Sequence, residues 1–193
     1  MQIFKLAIFI SGKGTNAIKL IDFFDGHPNI TINLVVSNNP TSPCLTFCQK
    51  NGIDTVVCDN FQASDPNFLL EICKKYHVDF IVLAGYLRKI PVALIDCYSD
   101  KIFNIHPSLL PSFGGIGMYG DRVHHAVLQS GGTKSGITIH LVNEEYDRGR
   151  ILAQFECILN ENENLDSLKE KISKLEHENY GGVITKFILG THE

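Results

Sequence analysis

The chain has 193 residues and a mass of 21.5 kDa, with 44% hydrophobic residues, 20% charged residues and a net charge of −4. This length is typical of one domain, and the composition excludes collagen-like, low-complexity and disordered chains. A net negative charge provides no global basic field, so we expect neither nucleic acid nor a membrane as a partner. A local anion site remains compatible with this composition.

The six cysteines are scattered among apolar neighbours, and none belongs to a C-x-x-C pair. This spacing predicts reduced core thiols of a cytoplasmic protein, with a zinc or redox site as the alternative. The apolar residues 3–10 run directly into a glycine loop without a cleavage site, and no stretch reaches about 18 apolar residues. We therefore expect no signal peptide and no membrane span.

In the first half of the chain, strand patterns alternate with helix patterns. Strands are predicted at 4–11, 30–37, 54–58 and 80–84, and helices at 16–24, 43–52 and 66–77. Ser42-Pro43 and Asp65-Pro66 are cap-and-proline starts for two of these helices. The βαβαβαβ order predicts parallel strands with right-handed crossovers.

After Gly85 the pattern changes. We predict a short helix at 91–96, a strand at 102–105, a glycine-rich loop at 111–120 and a helix near 123–129. Strands at 136–142 and 151–159 follow, joined by a turn around 147–149, and an amphipathic helix at 165–188 is broken at Gly181-Gly182. Ligands of open parallel sheets bind beyond the carboxyl ends of the strands, so residues 12–16, 85–88 and 104–106 should share one edge.

The first motif, Gly12-Lys13-Gly14-Thr15-Asn16-Ala17, lies between a strand and a helix and matches the dinucleotide-binding pattern G-x-G-x-x-G/A. The next strand, however, ends without the acid that would bind a ribose hydroxyl, and the spacing is not that of a Walker A loop. Small residues at a helix N-terminus still expose backbone N–H groups, which predicts a phosphate site. A purely structural tight turn is the alternative.

The second motif places Asn104 and His106 two residues apart in a strand that Pro107 ends. Both side chains therefore share one face, about 7 Å apart along the strand. An amide and an imidazole in this arrangement suit stabilisation of an oxyanion and transfer of a proton. A structural polar pair at a strand end is the alternative.

The third motif contains Asp147 in a turn after a strand, with Gly149 permitting a tight backbone. A carboxylate can orient a histidine and favour its protonated form, although an ordinary turn aspartate would show the same pattern. The remaining histidines could suggest a metal site with His106, but H-x-H and H-x-x-x-H pairs are absent, so we expect no metal. These histidines are His124, His125 and His140.

Four segments carry a family resemblance: residues 10–16 (ISGKGTN), 83–88 (LAGYLR), 104–111 (NIHPSLLP) and 140–149 (HLVNEEYDRG). Over essentially its whole length, the chain resembles the folate-dependent formyltransferase family, in its phosphoribosylglycinamide formyltransferase branch. The Asn-x-His-Pro-Ser block followed by Asp-x-Gly is specific for folate formyltransferases. The glycine loop and the chain length narrow the resemblance to this branch.

The resemblance implies a Rossmann-like α/β fold, the formyltransferase fold, with a mostly parallel sheet flanked by helices. An antiparallel C-terminal strand pair and a long C-terminal helix complete it. The implied organisation is one domain over residues 1–193, with a ribonucleotide-binding half at 1–100 and a catalytic and folate-binding half at 101–193.

The resemblance also implies an activity, transfer of the formyl group of 10-formyltetrahydrofolate to the amine of 5'-phosphoribosylglycinamide in purine biosynthesis. The products would be phosphoribosyl-N-formylglycinamide and tetrahydrofolate. The enzyme would be cytoplasmic, a monomer or homodimer, with the folate as co-substrate and without a metal.

Site residues follow from the same resemblance. The implied catalytic residues are Asn104, His106 and Asp147. The implied contacts to the ribonucleotide phosphate and glycinamide are Gly14, Thr15, Asn16 and Glu176. The implied folate contacts are Leu87, Arg88, Lys89, Ile90, Asn104, Val142 and Asn143.

Two segments depart from the family pattern. Residues 114–121 form a longer and more glycine-rich stretch, so we expect a differently built loop over the substrate. Residues 60–66 contain no arginine where the family commonly has one, so we expect one folate or substrate contact to be lost.

Related activities are the alternatives. Methionyl-tRNA formyltransferase shares the catalytic residues but resembles a longer protein with a C-terminal domain suited to tRNA. Formyltetrahydrofolate deformylase shares them too but carries an N-terminal regulatory domain. An acidic chain that ends at residue 193 and begins its first strand at residue 4 favours neither. A non-catalytic nucleotide-binding module of Rossmann type is the alternative from another class.

Overall fold

The structure is a computed structural model that describes residues 2–190. These residues form two compact units, the first up to Phe103 and the second from Asn104 onward. The prediction of one domain over residues 1–193 stays a prediction, and its ends, Met1 and residues 191–193, lie outside the described residues.

The first unit contains four strands and four α-helices. The strands are β1 (Phe4–Ile10), β2 (Ile30–Ser37), β3 (Asp54–Val57) and β4 (Phe80–Leu83). The helices are α1 (Thr15–Phe24), α2 (Pro43–Lys50), α3 (Pro66–Lys75) and α4 (Val92–Cys97), and a 3₁₀ turn covers Gln62–Ser64. Each predicted element of this half is present, with bounds that differ by a few residues.

All strand pairs of the first unit are parallel, in the order β3-β2-β1-β4. This confirms the prediction from the βαβ pattern. The central strand β1 is fully buried from Leu6 to Ile10, which explains its nearly continuous apolar sequence. The chain reverses its direction of progression between β1 and β4, and in such sheets ligands bind at this switch point.

The second unit begins inside β5 (Ile102–His106), whose last three residues belong to it. It continues with α5 (Asp121–Gln129), β6 (Lys134–Leu141), β7 (Ile151–Ile158) and α6 (Leu165–Leu189). Strands β6 and β7 are antiparallel, and α6 packs against both strands and against α5. The predicted α/β fold with an antiparallel C-terminal strand pair and a long C-terminal helix is confirmed.

The predicted break in α6 at Gly181-Gly182 is wrong, because the helix is continuous through both glycines. Each glycine costs about 1 kcal/mol of helix propensity, but tertiary packing overrides this cost. Gly181 is buried between Tyr180 and Ile184 on the packed face of the helix. The Thr185 hydroxyl also donates to the carbonyl oxygen of Gly181 at 2.9 Å.

All six cysteines are free thiols, as predicted. Four of them are buried, whereas Cys97 is exposed and Cys157 is half-buried, so the prediction of core positions is wrong for Cys97. Cys97 ends the short helix α4, where its side chain faces away from the core. Within residues 2–190, no helix combines the length and the apolar character needed to cross a membrane.

Candidate active site

Asn104 and His106 lie at the end of β5, as predicted. Side chains two residues apart on a strand point to the same side. His106 is the last residue of the strand and is only 3% exposed, while Asn104 is half-buried. The strand therefore presents an amide and an imidazole together near its carboxyl end.

The imidazole of His106 has a neighbour at each ring nitrogen. Its Nε2 lies 2.8 Å from the carbonyl oxygen of Phe113. Because a carbonyl oxygen can only accept, Nε2 must carry a proton and donate it. Its Nδ1 lies 3.6 Å from Oδ2 of Asp147, which is longer than a hydrogen bond. The ring is thus held through Nε2. This leaves Nδ1, beside the Asp147 carboxylate, as the ring nitrogen that can interact with a ligand.

Asp147 reaches His106 because of the turn between β6 and β7. Its backbone is left-handed, with φ 56°, a conformation that aspartate adopts more readily than most residues. One carboxylate oxygen, Oδ2, accepts a hydrogen bond from the backbone N–H of Gly115 at 2.8 Å. A Cβ atom at Gly149 would lie 1.7 Å from the carbonyl oxygen of Leu141, so this turn requires glycine at that position. The predicted tight backbone at Gly149 is confirmed.

His140, near the end of β6, contacts two of these site residues, Asn104 and Asp147. Asn104 Nδ2 donates to its Nε2 at 3.0 Å, and its Nδ1 donates to the carbonyl oxygen of Leu141 at 2.9 Å. Burial lowers the pKa of His140, which favours the neutral ring that these two bonds require. Oδ1 of Asp147 lies 3.7 Å from the same Nε2. The structure therefore brings Asn104, His106, His140 and Asp147 into one cluster.

The sequence motifs indicate His140 only as a possible metal ligand and do not predict its contacts with Asn104 and Asp147. The available signal was an imidazole inside the strand sequence ITIHL, which is otherwise apolar except for Thr138. Within the described part of the chain, no three His, Cys, Asp or Glu side chains are arranged to hold a metal ion. His124 lies on α5, where burial lowers its pKa as well.

The predicted phosphate loop precedes α1 in the first unit. Gly14 is left-handed (φ 75°, ψ 30°) and stands at the N-cap of the helix. A Cβ atom there would lie 2.5 Å from Cβ of Cys44, so α2 packs directly against the turn. Thr15 begins α1 and is exposed, and Asn16 is half-buried. The first N–H groups of an α-helix have no partner within the helix, so this turn can present them to an anion.

The end of β2 lacks an acid, and its polar groups bond to one another instead. The Ser37 hydroxyl donates to the carbonyl oxygen of Asn39, and the Asn38 amide donates to Oδ1 of Asn60 at 2.8 Å. Dinucleotide-binding sites use an acid near this position for the ribose hydroxyls. The end of β2 therefore lacks the acid of a dinucleotide site, and the phosphate site stays a prediction.

The predicted folate segment of the first unit is bonded to the end of β1. The Ser11 backbone N–H donates to the carbonyl oxygen of Gly85 at 3.1 Å, and the N–H of Leu87 donates to the Ser11 hydroxyl at 2.9 Å. The Tyr86 hydroxyl donates to the carbonyl oxygen of Ala63 at 2.6 Å. This last bond holds residues 60–66, the segment that contains no arginine.

The four residues of the predicted folate segment, 87–90, differ in what they can offer a ligand. Leu87 is 55% exposed and Lys89 is also exposed. Arg88 is half-buried, and its Nε has no hydrogen-bond partner within residues 2–190. Ile90 is buried, so it can contribute only main-chain groups.

The remaining predicted contacts lie in the second unit. Val142 is half-buried directly after β6, and exposed Asn143 accepts a hydrogen bond from the Glu145 backbone N–H through Oδ1 at 3.1 Å. Both precede Asp147 in the same turn. Glu176 is half-buried on α6, one turn before Tyr180, whose pKa is raised by burial and by the nearby Glu176 carboxylate.

Known proteins resemble this chain throughout its length. A family model described as Formyl transferase matches residues 4–184. The chloroplastic phosphoribosylglycinamide formyltransferase of Arabidopsis thaliana is 44% identical over 186 residues, which cover 93% of this chain and 64% of that protein. The phosphoribosylglycinamide formyltransferase of Bacillus subtilis is 32% identical over 189 residues, which cover 95% of this chain and 94% of that protein.

A solved structure gives the same picture. The phosphoribosylglycinamide formyltransferase of Anaplasma phagocytophilum matches with a TM-score of 0.89 at 28% identity, covering 100% of this chain and 90% of that chain. The chain thus spans nearly all of the bacterial proteins but less than two thirds of the plant protein.

Proposed function

Because this chain belongs to the formyl transferase family, we propose that it transfers the formyl group of 10-formyltetrahydrofolate to the amine of 5'-phosphoribosylglycinamide. The observation that carries the proposal is the cluster in which the amide of Asn104 and the His106–Asp147 pair lie together. The names of the Arabidopsis and Bacillus relatives support the choice of ribonucleotide.

The folate would supply an activated formyl carbon, and the chain's own residues would stabilise the charge that develops there. When an amine attacks a formyl carbon, the carbonyl oxygen becomes an oxyanion. Asn104 would donate to it with the amide N–H that does not bond to His140. A fixed donor aimed at developing charge lowers the barrier without reorganisation during the reaction.

His106 would donate a proton during the transfer, and Asp147 would accept one. The Nδ1–H of a protonated His106 is not engaged by the 3.6 Å contact with Asp147, so it can donate to the oxyanion or to the departing folate nitrogen. The Asp147 carboxylate lies beside that ring and, through a water, would accept the proton that the attacking amine releases. Transfer is direct, and no covalent bond to the enzyme forms.

The binding segments are assigned within the same proposal. The turn at Gly14 to Asn16 would hold the ribonucleotide phosphate, and Glu176 would face its glycinamide end. Main-chain groups of 87–90 and of 142–147 would recognise the pterin ring. The Nε of Arg88, which has no hydrogen-bond partner among residues 2–190, would suit a polar group of the folate. Six free thiols favour a reducing compartment, and we propose the cytoplasm.

A spectroscopic assay with 10-formyl-5,8-dideazafolate and the ribonucleotide tests this function. The expected result is release of the deformylated folate only when the ribonucleotide is present. Release without the ribonucleotide would indicate a deformylase, and release only with methionyl-tRNA would indicate the tRNA enzyme. Binding of the ribonucleotide without any turnover would leave a nucleotide-binding module as the better interpretation.

A further inference from the structure

Residues 107–113 leave β5 after His106 and return to it, and a side chain of β6 holds the middle of this segment. The hydroxyl of Thr138 donates to the carbonyl oxygen of Ser108 at 2.7 Å and accepts from the N–H of Leu110 at 2.9 Å. Thr138 is fully buried. A buried hydroxyl that satisfies two backbone groups fixes the position of the segment that contains them.

Gln154 of β7 completes this arrangement. It lies opposite Thr138 in the antiparallel pair, and although the residue is exposed overall, its amide points toward the segment. Nε2 donates to the carbonyl oxygen of Leu110 and to the hydroxyl of Thr138, both at 2.9 Å. A hydroxyl has one donor and two acceptor positions, so Gln154 fills the last one and fixes the direction of the Thr138 O–H bond.

The far end of the same segment supports the imidazole of His106. The Ser108 hydroxyl donates to the carbonyl oxygen of Ser112 at 2.7 Å, and the next residue, Phe113, accepts from Nε2 of His106. Phe113 has a φ of 56°, a left-handed conformation that is unfavourable for a bulky residue. Such a conformation persists only where surrounding contacts impose it. The bonds from Thr138, Gln154 and Ser108 are such contacts.

We propose that Gln154 is a positioning residue for formyl transfer. By holding residues 108–110 directly and through Thr138, it places the Phe113 carbonyl opposite Nε2 of His106. This anchors the ring so that Nδ1 is the nitrogen presented beside Asp147. The inference rests on the proposed function, but its structural part, the anchoring of His106, can be measured without turnover.

The first test replaces Gln154 with Leu, which keeps bulk but removes both N–H donors. The expected result is a fall in kcat of about tenfold with KM for the ribonucleotide within about twofold, the scale of one or two neutral hydrogen bonds. Gln154→Glu, which keeps the shape but has no N–H donor, should fall by a similar factor. Glu156→Gln is the matched control on the same strand, because Glu156 is exposed and pairs with Lys134 away from the segment.

The second test changes Thr138, which links Gln154 to residues 108–110. Thr138→Ser keeps the hydroxyl and should retain most of the wild-type kcat. Thr138→Val keeps the shape but removes the hydroxyl, so its kcat should fall. Combining Gln154→Leu with Thr138→Val should lower kcat by less than the product of the single effects, because both act through one segment.

The third test observes His106 directly. In a ¹H–¹⁵N spectrum of the imidazole nitrogens, the Nε2–H signal, assigned by its loss in His106→Ala, should be sharp in the wild type. It should broaden or move in Gln154→Leu while the melting temperature shows that the protein remains folded. An unchanged signal overturns the proposal, whether kcat is retained or falls with the folded fraction. Failure of the proposed function would instead show as no turnover in the wild type, while the Nε2–H signal would still be sharp there and would still change in Gln154→Leu.

Discussion

The side-chain amide of Asn104 donates a hydrogen bond to Nε2 of His140 across 3.0 Å. Because Nδ1 of the same ring donates to the carbonyl oxygen of Leu141, Nε2 of a neutral His140 must accept. The nitrogen of the Asn104 amide, rather than its oxygen, therefore faces His140. In the proposed mechanism its second N–H would donate to the oxyanion, so His140 sets the orientation of the Asn104 amide.

Replacing His140 with Leu should impair catalysis by releasing Asn104. Leu cannot accept a hydrogen bond, so the amide of Asn104 would lose its preferred orientation. We expect kcat to fall by at least about tenfold, less than the 10²–10³-fold of a lost oxyanion donor, with KM for the ribonucleotide little changed. Steady-state kinetics with both substrates varied measures this.

His140→Gln is the matched control for that experiment. The amide of Gln can place its oxygen near the position of Nε2 and accept from Asn104. It should therefore recover most of the activity that His140→Leu loses. Equal activity of the Leu variant and the wild type would show that His140 does not orient Asn104.

Replacing His106 with Ala should remove the proton donor at Nδ1. We expect kcat to fall by about 10²–10³-fold, the scale of one lost stabilising group. His125→Ala, an exposed histidine on α5, should retain wild-type turnover and excludes a general effect of losing an imidazole. A His106→Ala enzyme with near-native kcat would falsify the assigned role.

Asp147→Asn separates the charge of this residue from its place in the turn. Asn tolerates a left-handed backbone, and its carboxamide oxygen can still accept from the N–H of Gly115. What disappears is the negative charge beside Nδ1 of His106 and, with it, the proposed acceptor for the released proton. We expect a large fall in kcat with ribonucleotide affinity unchanged, measured by kinetics and calorimetry. Lost affinity with retained turnover would instead make Asp147 a binding residue.

Acid should destabilise the fold through His124 and His140. Burial lowers the pKa of both, whereas an unfolded histidine titrates near pH 6.5. Below that pH the unfolded chain binds protons that the folded chain does not, so the free energy of unfolding falls as pH falls. Each histidine contributes a slope of up to about 1.4 kcal/mol per pH unit. Urea unfolding between pH 7 and 5 measures it, and His140→Gln should reduce the slope; the same slope in both proteins would contradict this origin.

Local patterns were sufficient to predict the first unit. Apolar runs define its four strands, and the starts at Ser42-Pro43 and Asp65-Pro66 coincide with α2 and α3. The side chain of Asp65 does accept from the Asn67 N–H, but Ser42 makes no such bond. Strand alternation alone placed Asn104 and His106 on one face, because that relation depends on residues two positions apart.

Contacts between distant segments were not predictable in this way. The bond between Asn104 and His140 joins residues 36 positions apart and depends on how β5 and β6 are placed, which no local pattern encodes. The Phe113 carbonyl is a backbone group, so its bond to His106 has no sequence signal. The continuity of α6 through Gly181 likewise depends on what packs against that face.

Gly14→Ala should weaken ribonucleotide binding through the phosphate turn. Alanine would have to adopt the left-handed backbone of Gly14, at a cost of about 1–2 kcal/mol. Its Cβ would also lie 2.5 Å from Cβ of Cys44. The turn must then shift, so we expect KM for the ribonucleotide to rise by at least about tenfold while KM for the folate stays within about twofold. Gly12→Ala is the control, since a Cβ there meets no atom within 4 Å, and its stability should change by less than about 0.5 kcal/mol. Kinetics and thermal unfolding of both variants measure this, and an unchanged ribonucleotide KM in Gly14→Ala would place the phosphate elsewhere.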